Sequence, residues 1–194
     1  MKKLVTCKEM KDLDSTTIRE IGVPSEVLME RAALKVVEET EKYLQKDERI
    51  LVVCGSGNNG GDGIAVARLF HLKGIRVEFY MVGNKDKMTR ETALQYKIAS
   101  GYRVPEVNNP QWSEYTTIVD AVFGVGLTRP IEGHYADIIH EMNSARAKKI
   151  AVDIPSGVNG DTGLEMGIAF SADLTVTFAY RKRGLCFYPG RLYA

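Results

Sequence analysis

Nine residues, Gly55-Ser56-Gly57-Asn58-Asn59-Gly60-Gly61-Asp62-Gly63, combine five glycines with two amides and a carboxylate. They follow the apolar run Ile50-Leu51-Val52-Val53-Cys54 and lead into Ile64-Ala65-Val66-Ala67-Arg68-Leu69-Phe70, so the spacing predicts a strand-to-helix loop. Glycine tolerates positive φ and lets a ligand approach the main chain. Amides at the start of a helix favour an anion such as a phosphate. The stretch is therefore a candidate nucleotide site. Gly55, Gly57 and Gly60 satisfy G-x-G-x-x-G, with Glu78 near the end of the next strand as a candidate ribose-binding acid. Asp62 either caps the helix or faces the ligand, and a carboxylate beside pyrophosphate needs a cation nearby. The expectation is a phosphate-bearing ligand with polar contacts and room for a metal ion, rather than routine NAD docking.

Two further stretches place polar groups just past apolar strands. One is Asp120-Ala121-Val122-Phe123-Gly124-Val125-Gly126-Leu127-Thr128-Arg129-Pro130, the other Asp153-Ile154-Pro155-Ser156-Gly157-Val158-Asn159-Gly160-Asp161-Thr162-Gly163. A carboxylate inside or at the end of a buried strand needs partners. Asp120 and Asp153 either bond loop amides or share one crevice. With Asn59 and the Ser156 hydroxyl they form a set of hard oxygen ligands for a monovalent or divalent cation. Zinc ligands are not assembled, because His71, His134 and His140 are scattered. Neither a G-x-S-x-G elbow nor a Walker lysine is present, which argues against a serine hydrolase and a P-loop NTPase.

The elements that must hold these residues alternate in type. A short helix is expected from Asp14 to Glu20, then a longer one capped by Ser25 with apolar positions from Val27 to Val37. Strands are expected at Ile50–Cys54, Ile75–Val82, Thr116–Phe123, Lys149–Ile154 and Leu174–Phe178, with an extended piece near Arg103-Val104. Helices are expected at Gly63–Lys73, Lys87–Ser100 (stopped by Gly101) and His134–Ala145. Alternation implies an α/β, Rossmann-like three-layer fold, with a mainly parallel central sheet covered on both faces and an N-terminal helical extension. In such sheets ligands sit beyond the carboxyl ends of the strands, so all three loops are expected to meet at one pocket.

The 194 residues suit one domain spanning 1–194. A net charge of +1 gives no reason to expect nucleic acid as a partner. Cys7, Cys54 and Cys186 lack metal-ligand spacing, the N-terminus lacks an apolar signal core and no stretch reaches membrane-spanning length. A cytoplasmic protein without a membrane partner is expected.

Taken together, Leu13-Asp14, Gly22–Ala32, Asn58–Gly63, Asp120–Pro130 and Val152–Gly157 resemble the NAD(P)H-hydrate epimerase family, of the YjeF N-terminal domain type. The resemblance implies interconversion of the R and S forms of NADHX and NADPHX, cofactors hydrated at C6 of the nicotinamide ring. It also implies a bound potassium ion and a homodimer, with the two N-terminal helices as the expected contact. Position by position, Asn58, Asn59, Gly60, Gly61 and Asp62 would line the substrate site, as would Gly124, Val125, Gly126, Leu127, Thr128, Arg129, Pro130, Tyr135 and Asp153. Asn59, Asp120 and Ser156 would bind potassium. Tyr135 has an equal claim as a helix residue packing on the sheet.

Asp153 is the expected catalytic group, with an Asp153→Asn variant inactive yet folded. Arg181 and Arg183 flank Lys182 where the family often has prolines. The family usually continues into one more strand, so the chain either ends early or forms the front of a bifunctional protein. In that family the domain is often fused to, or works with, an ATP- or ADP-dependent NAD(P)H-hydrate dehydratase. A non-catalytic nucleotide-binding or scaffold domain of the same fold is the alternative.

Overall fold

Continuous apolar runs, rather than alternating ones, mark strands covered on both faces. In the computed structural model, which describes residues 3–194, strands β2 (Arg49–Cys54), β4 (Thr117–Ala121) and β5 (Lys148–Val152) are such runs. Met1 and Lys2, part of the stretch read as lacking a signal core, lie outside the described residues. With β3 (Arg76–Met81) and β6 (Leu174–Val176) these strands form a five-stranded sheet in the order β3-β2-β4-β5-β6, parallel throughout. Helices α2 (Ser25–Glu41), α3 (Asn58–Leu72) and α4 (Arg90–Gly101) contribute to one apolar layer through Val36, Ile64, Phe70 and Ala99. Helix α5 (His134–Ser144) closes the other face with Ile139 and Met142. The expected three-layer α/β architecture is what the chain forms.

Strand order reverses between β2 and β4: the chain leaves β2 for β3 on one side and returns to β4 on the other. Loops diverging at such a point open a crevice. The first and second expected loops follow these two strands, and the Gly55 amide donates to the Ala121 carbonyl across the gap at 3.0 Å.

Several expected boundaries shift for identifiable reasons. Helix α1 (Cys7–Arg19) starts well before Asp14, because Thr6 and Glu9 form a reciprocal capping box. Pro24, not Ser25, takes the cap position of α2, and the Ser25 hydroxyl instead donates to Glu91 at 2.9 Å. Helix α4 runs through Gly101, and Arg103 makes the turn at φ 58° where an extended piece was expected. Strand pairing occurs slightly later, between Glu106 and Phe79. Two strands of two residues each, β1 (Leu4–Val5) and β7 (Arg181–Lys182), pair in parallel with Val5 opposite Lys182. Pairs that short carry no periodicity in the sequence.

The largest shift concerns the glycine-rich stretch. Helix α3 begins at Asn58, so Asn58 to Asp62 form its first turns and only residues 55–57 are loop. None of its five glycines takes a positive φ. They are there for close packing: a Cβ at Gly60 would fall inside the Gly55 carbonyl, and one at Gly61 would sit 2.8 Å from the Met29 methyl. Replacing Gly60 with Ala is accordingly expected to cost on the order of 3 kcal/mol, a fall of roughly 10 °C in melting temperature. A calorimetric scan showing an unchanged melting temperature would refute that packing account.

Candidate functional site

Asp120, the fourth residue of β4, is fully buried. One carboxylate oxygen accepts from the Ser156 amide at 2.7 Å, the other from the Ser156 hydroxyl at 2.6 Å and the Val122 amide at 3.1 Å. Burial pushes its carboxyl up to about 6, against the pull of those hydrogen bonds. The Ser156 hydroxyl also accepts from the Phe123 amide at 2.9 Å, which ties the third loop to the second. The first turn of α3 approaches them at Gly124, where a Cβ would lie 3.1 Å from Asn59 Oδ1. Asp120 and Ser156 are thus in direct contact, and Asn59 lies against Gly124 of the loop they anchor.

This cluster fits a hard, weakly charged cation. It offers a carboxylate, a hydroxyl and an amide oxygen with no sulfur or imidazole. Among the described residues no cationic side chain lies close enough to Asp120 to offset its buried carboxylate. No group of three or more His, Cys, Asp or Glu side chains is placed to hold a metal among the described residues.

Asp153 sits one residue past β5 in the left-handed region, φ 66°, a conformation that costs a non-glycine residue energy and that the surroundings must enforce. Its Oδ1 accepts from the Phe178 amide at 3.1 Å, the Thr177 hydroxyl at 3.3 Å and the ammonium of Lys182, with which it forms a buried ion pair. It lines a cavity of about 480 Å³ between α1, α2 and the carboxyl ends of the strands. Asn58, Asp62, Val125 and Lys182 line the same cavity.

Asp62 keeps part of its surface open, yet its carboxyl is pushed well above the usual carboxylate range. Burial of the head group is the main cause, then the charges of Asp153 and Asp14, with Lys182 opposing. It is not an N-cap, since it lies in the second turn of α3. Asp14 on α1 also lines the cavity, and burial raises its carboxyl too. Two acids with different partners, Asp153 on an ammonium and Asp62 without an ion pair among the described residues, suit proton transfer in both directions.

The remaining expected residues fall into three groups. Gly60, Gly61 and Gly124 shape the turn of α3 and its neighbour loop. Gly126, Thr128, Arg129 and Pro130 are exposed along the rim of the second loop. Leu127 and Tyr135 pack with Phe123, whose ring lies 5.1 Å from that of Tyr135.

Glu78 is not free for a ribose. It lies in the first half of β3, opposite Leu51, and is held by the Tyr115 hydroxyl and by Arg49 at 3.6 Å. Asp161 accepts from the Cys7 amide at 2.6 Å and anchors α1. Two other clefts, about 350 and 450 Å³, lie near Arg76 at the opposite ends of the strands, away from the three loops. Sequence reasoning gave Lys182 and Asp14 no role in the site, yet both line the cavity with Asp153.

Residues 25–184 match the family described as YjeF-related protein N-terminus. The chain is 48% identical over 194 residues to an NAD(P)H-hydrate epimerase of Oenococcus oeni, covering 98% of this chain and 91% of the relative. It is 45% identical over 191 residues to one from Limosilactobacillus fermentum, covering 98% and 92%. The crystal structure of yeast ynu0 superposes with a TM-score of 0.84 at 23% identity, covering 95% of this chain and 83% of that one, which supports the fold.

Proposed function

The chain belongs to the family of YjeF-related protein N-termini, and from that premise we infer that its reaction is the one its curated relatives are named for. That reaction is epimerisation of NAD(P)H hydrate, the R and S forms of NADHX and NADPHX, and it makes the protein an isomerase that repairs a nucleotide. The observation that carries this reading is the placing of Asp153 and Asp62 in one cavity with unlike surroundings.

C6 of the hydrate carries a hydroxyl and is bonded to the ring nitrogen. A proton from an acid goes to that hydroxyl oxygen, the C6–O bond breaks with its electrons, and water leaves. The nitrogen lone pair forms a C=N bond, which makes C6 flat. Water then adds from the other face, the C=N electrons return to nitrogen, and a base takes the surplus proton. Asp62, whose carboxyl holds its proton above the usual range, supplies the first proton. Asp153, paired with Lys182 at the cavity wall, takes the last. The sequence alone gave both duties to Asp153; the ion pair favours dividing them.

Potassium, held by Asp120, Ser156 and Asn59, would neutralise the buried carboxylate and fix the two loops beside the cavity. Exchanging potassium for choline at constant ionic strength is expected to lower the melting temperature by a few degrees, because an ion bound only by the native state adds stability. An Asp120→Asn variant should show no difference between the two salts. Equal melting temperatures for the parent protein in both salts would remove potassium from this account.

Exposed Val27 and Leu34 on α2, with exposed Ile21 in the turn between α1 and α2, support a homodimer through these helices. Sedimentation as monomer alone at micromolar concentration overturns it. Among the described residues no helix is long and apolar enough to cross a membrane, in keeping with a place of action in the cytoplasm. There a dehydratase specific for one epimer would consume the product. The test of the whole reading is chiral chromatography of (R)-NADHX mixed with the purified protein. Equilibration faster than the spontaneous rate supports it; the spontaneous rate alone, or oxidation of the nicotinamide, refutes it.

A further inference from the structure

Lys182 is fully buried, and a lysine withdrawn from water loses several kcal/mol of hydration that its contacts must offset. Its Nζ donates to the Asp153 carboxylate, to Thr177 Oγ1 at 3.1 Å and to the Phe178 carbonyl at 3.1 Å. Three acceptors match the three hydrogens of a lysine ammonium. Thr177 closes a triangle, accepting from Lys182 and donating to Asp153 Oδ1 at 3.3 Å. Every protein donor to Asp153 among the described residues reaches Oδ1. That leaves Oδ2 for the cavity that Asp153 lines. The lysine is itself fixed by main chain: β7 carries it, and β1 pairs with β7 at Val5, one residue before the capping box that starts α1. The small two-stranded sheet thereby holds one ammonium under the strand-end carboxylate.

We propose that Lys182 is a positioning residue for the epimerase reaction, pinning Oδ1 of Asp153 so that Oδ2 alone meets the water at C6. The proposal rests on the role given to Asp153 above, and the closing experiment separates the two. It compares the intact protein with Lys182→Met and Lys182→Arg, following (R)-NADHX interconversion under saturating and limiting substrate.

Lys182→Met keeps length and apolar stem while removing the charge. It is expected to lower kcat by about 100-fold, with KM within about threefold, because orientation of a proton-transfer group acts on the chemical step. Lys182→Arg, which retains a cation, is expected to recover at least about tenfold of that loss. An unchanged kcat in Lys182→Met, a loss carried by KM, or no recovery in Lys182→Arg overturns the proposal. Inactivity of the unaltered protein would instead overturn the epimerase reading itself. Should Lys182→Met not fold, Thr177→Val decides. Losing only the hydroxyl that bridges the pair, it should lower kcat about tenfold at nearly constant KM, and an unchanged kcat would overturn the proposal.

Discussion

Asp153→Asn is expected to lower kcat for interconversion of the hydrate epimers by about 10²–10⁴-fold, the usual contribution of a positioned acid or base. The amide keeps the shape and can still accept from the Phe178 amide, but it cannot take a proton from the attacking water. The sequence alone suggested that this variant would fold like its parent. The buried partner changes that expectation: without the carboxylate, Lys182 remains inside with no counter-charge. Breaking a buried pair from one side costs about 3–5 kcal/mol, which for a chain of this size is roughly 10 °C in melting temperature. A double variant, Asp153→Asn with Lys182→Met, should regain much of the stability and none of the activity. Equal melting temperatures for the single and double variants would show that the ion pair does not couple these residues. A fully active Asp153→Asn protein would remove Asp153 from the chemistry.

What was legible beforehand follows a physical divide. Asp120 and Asp153 could be picked out because a carboxylate at the end of an apolar run is costly wherever the fold places it. The order of strands and helices was legible for the same reason, since Leu51, Val53, Ile118 and Ile150 have to be covered on both faces. Lys182 was not legible. Between Arg181 and Arg183 it reads as part of a solvated charge run, and only the pairing of β7 with β1 turns it inward. The start of α3 was hidden by Gly60 and Gly61, which have poor helix propensity. Contacts with the Gly55 carbonyl and the Met29 side chain, available only in the folded chain, override that preference. Glu78 matched a spacing rule but faces Arg49 and Tyr115, a pairing across strands that no local pattern carries.

Asp62→Asn is expected to remove activity to a similar extent, about 10²–10⁴-fold in kcat, yet to move stability the other way. In the folded chain the Asp62 carboxyl is raised by burial and by the negative charges of Asp153 and Asp14. A group raised in this way contributes stability that is fully present below its unfolded value and is lost as pH climbs through the folded value. At higher pH the native protein must carry a desolvated carboxylate beside two others. Asparagine is neutral throughout, so the variant should melt above its parent at pH 8 and close to it at pH 4. The same titration governs the rate: the parent's kcat should fall with rising pH as Asp62 loses its proton, and the variant should keep only a low rate without that limb. A parent whose kcat is flat to pH 9, or a variant that melts below its parent at pH 8, would contradict the proton-holding role of Asp62. Two isosteric substitutions in one cavity thus destabilise on one side and stabilise on the other, because one carboxylate neutralises a buried ammonium and the other is opposed by its neighbours.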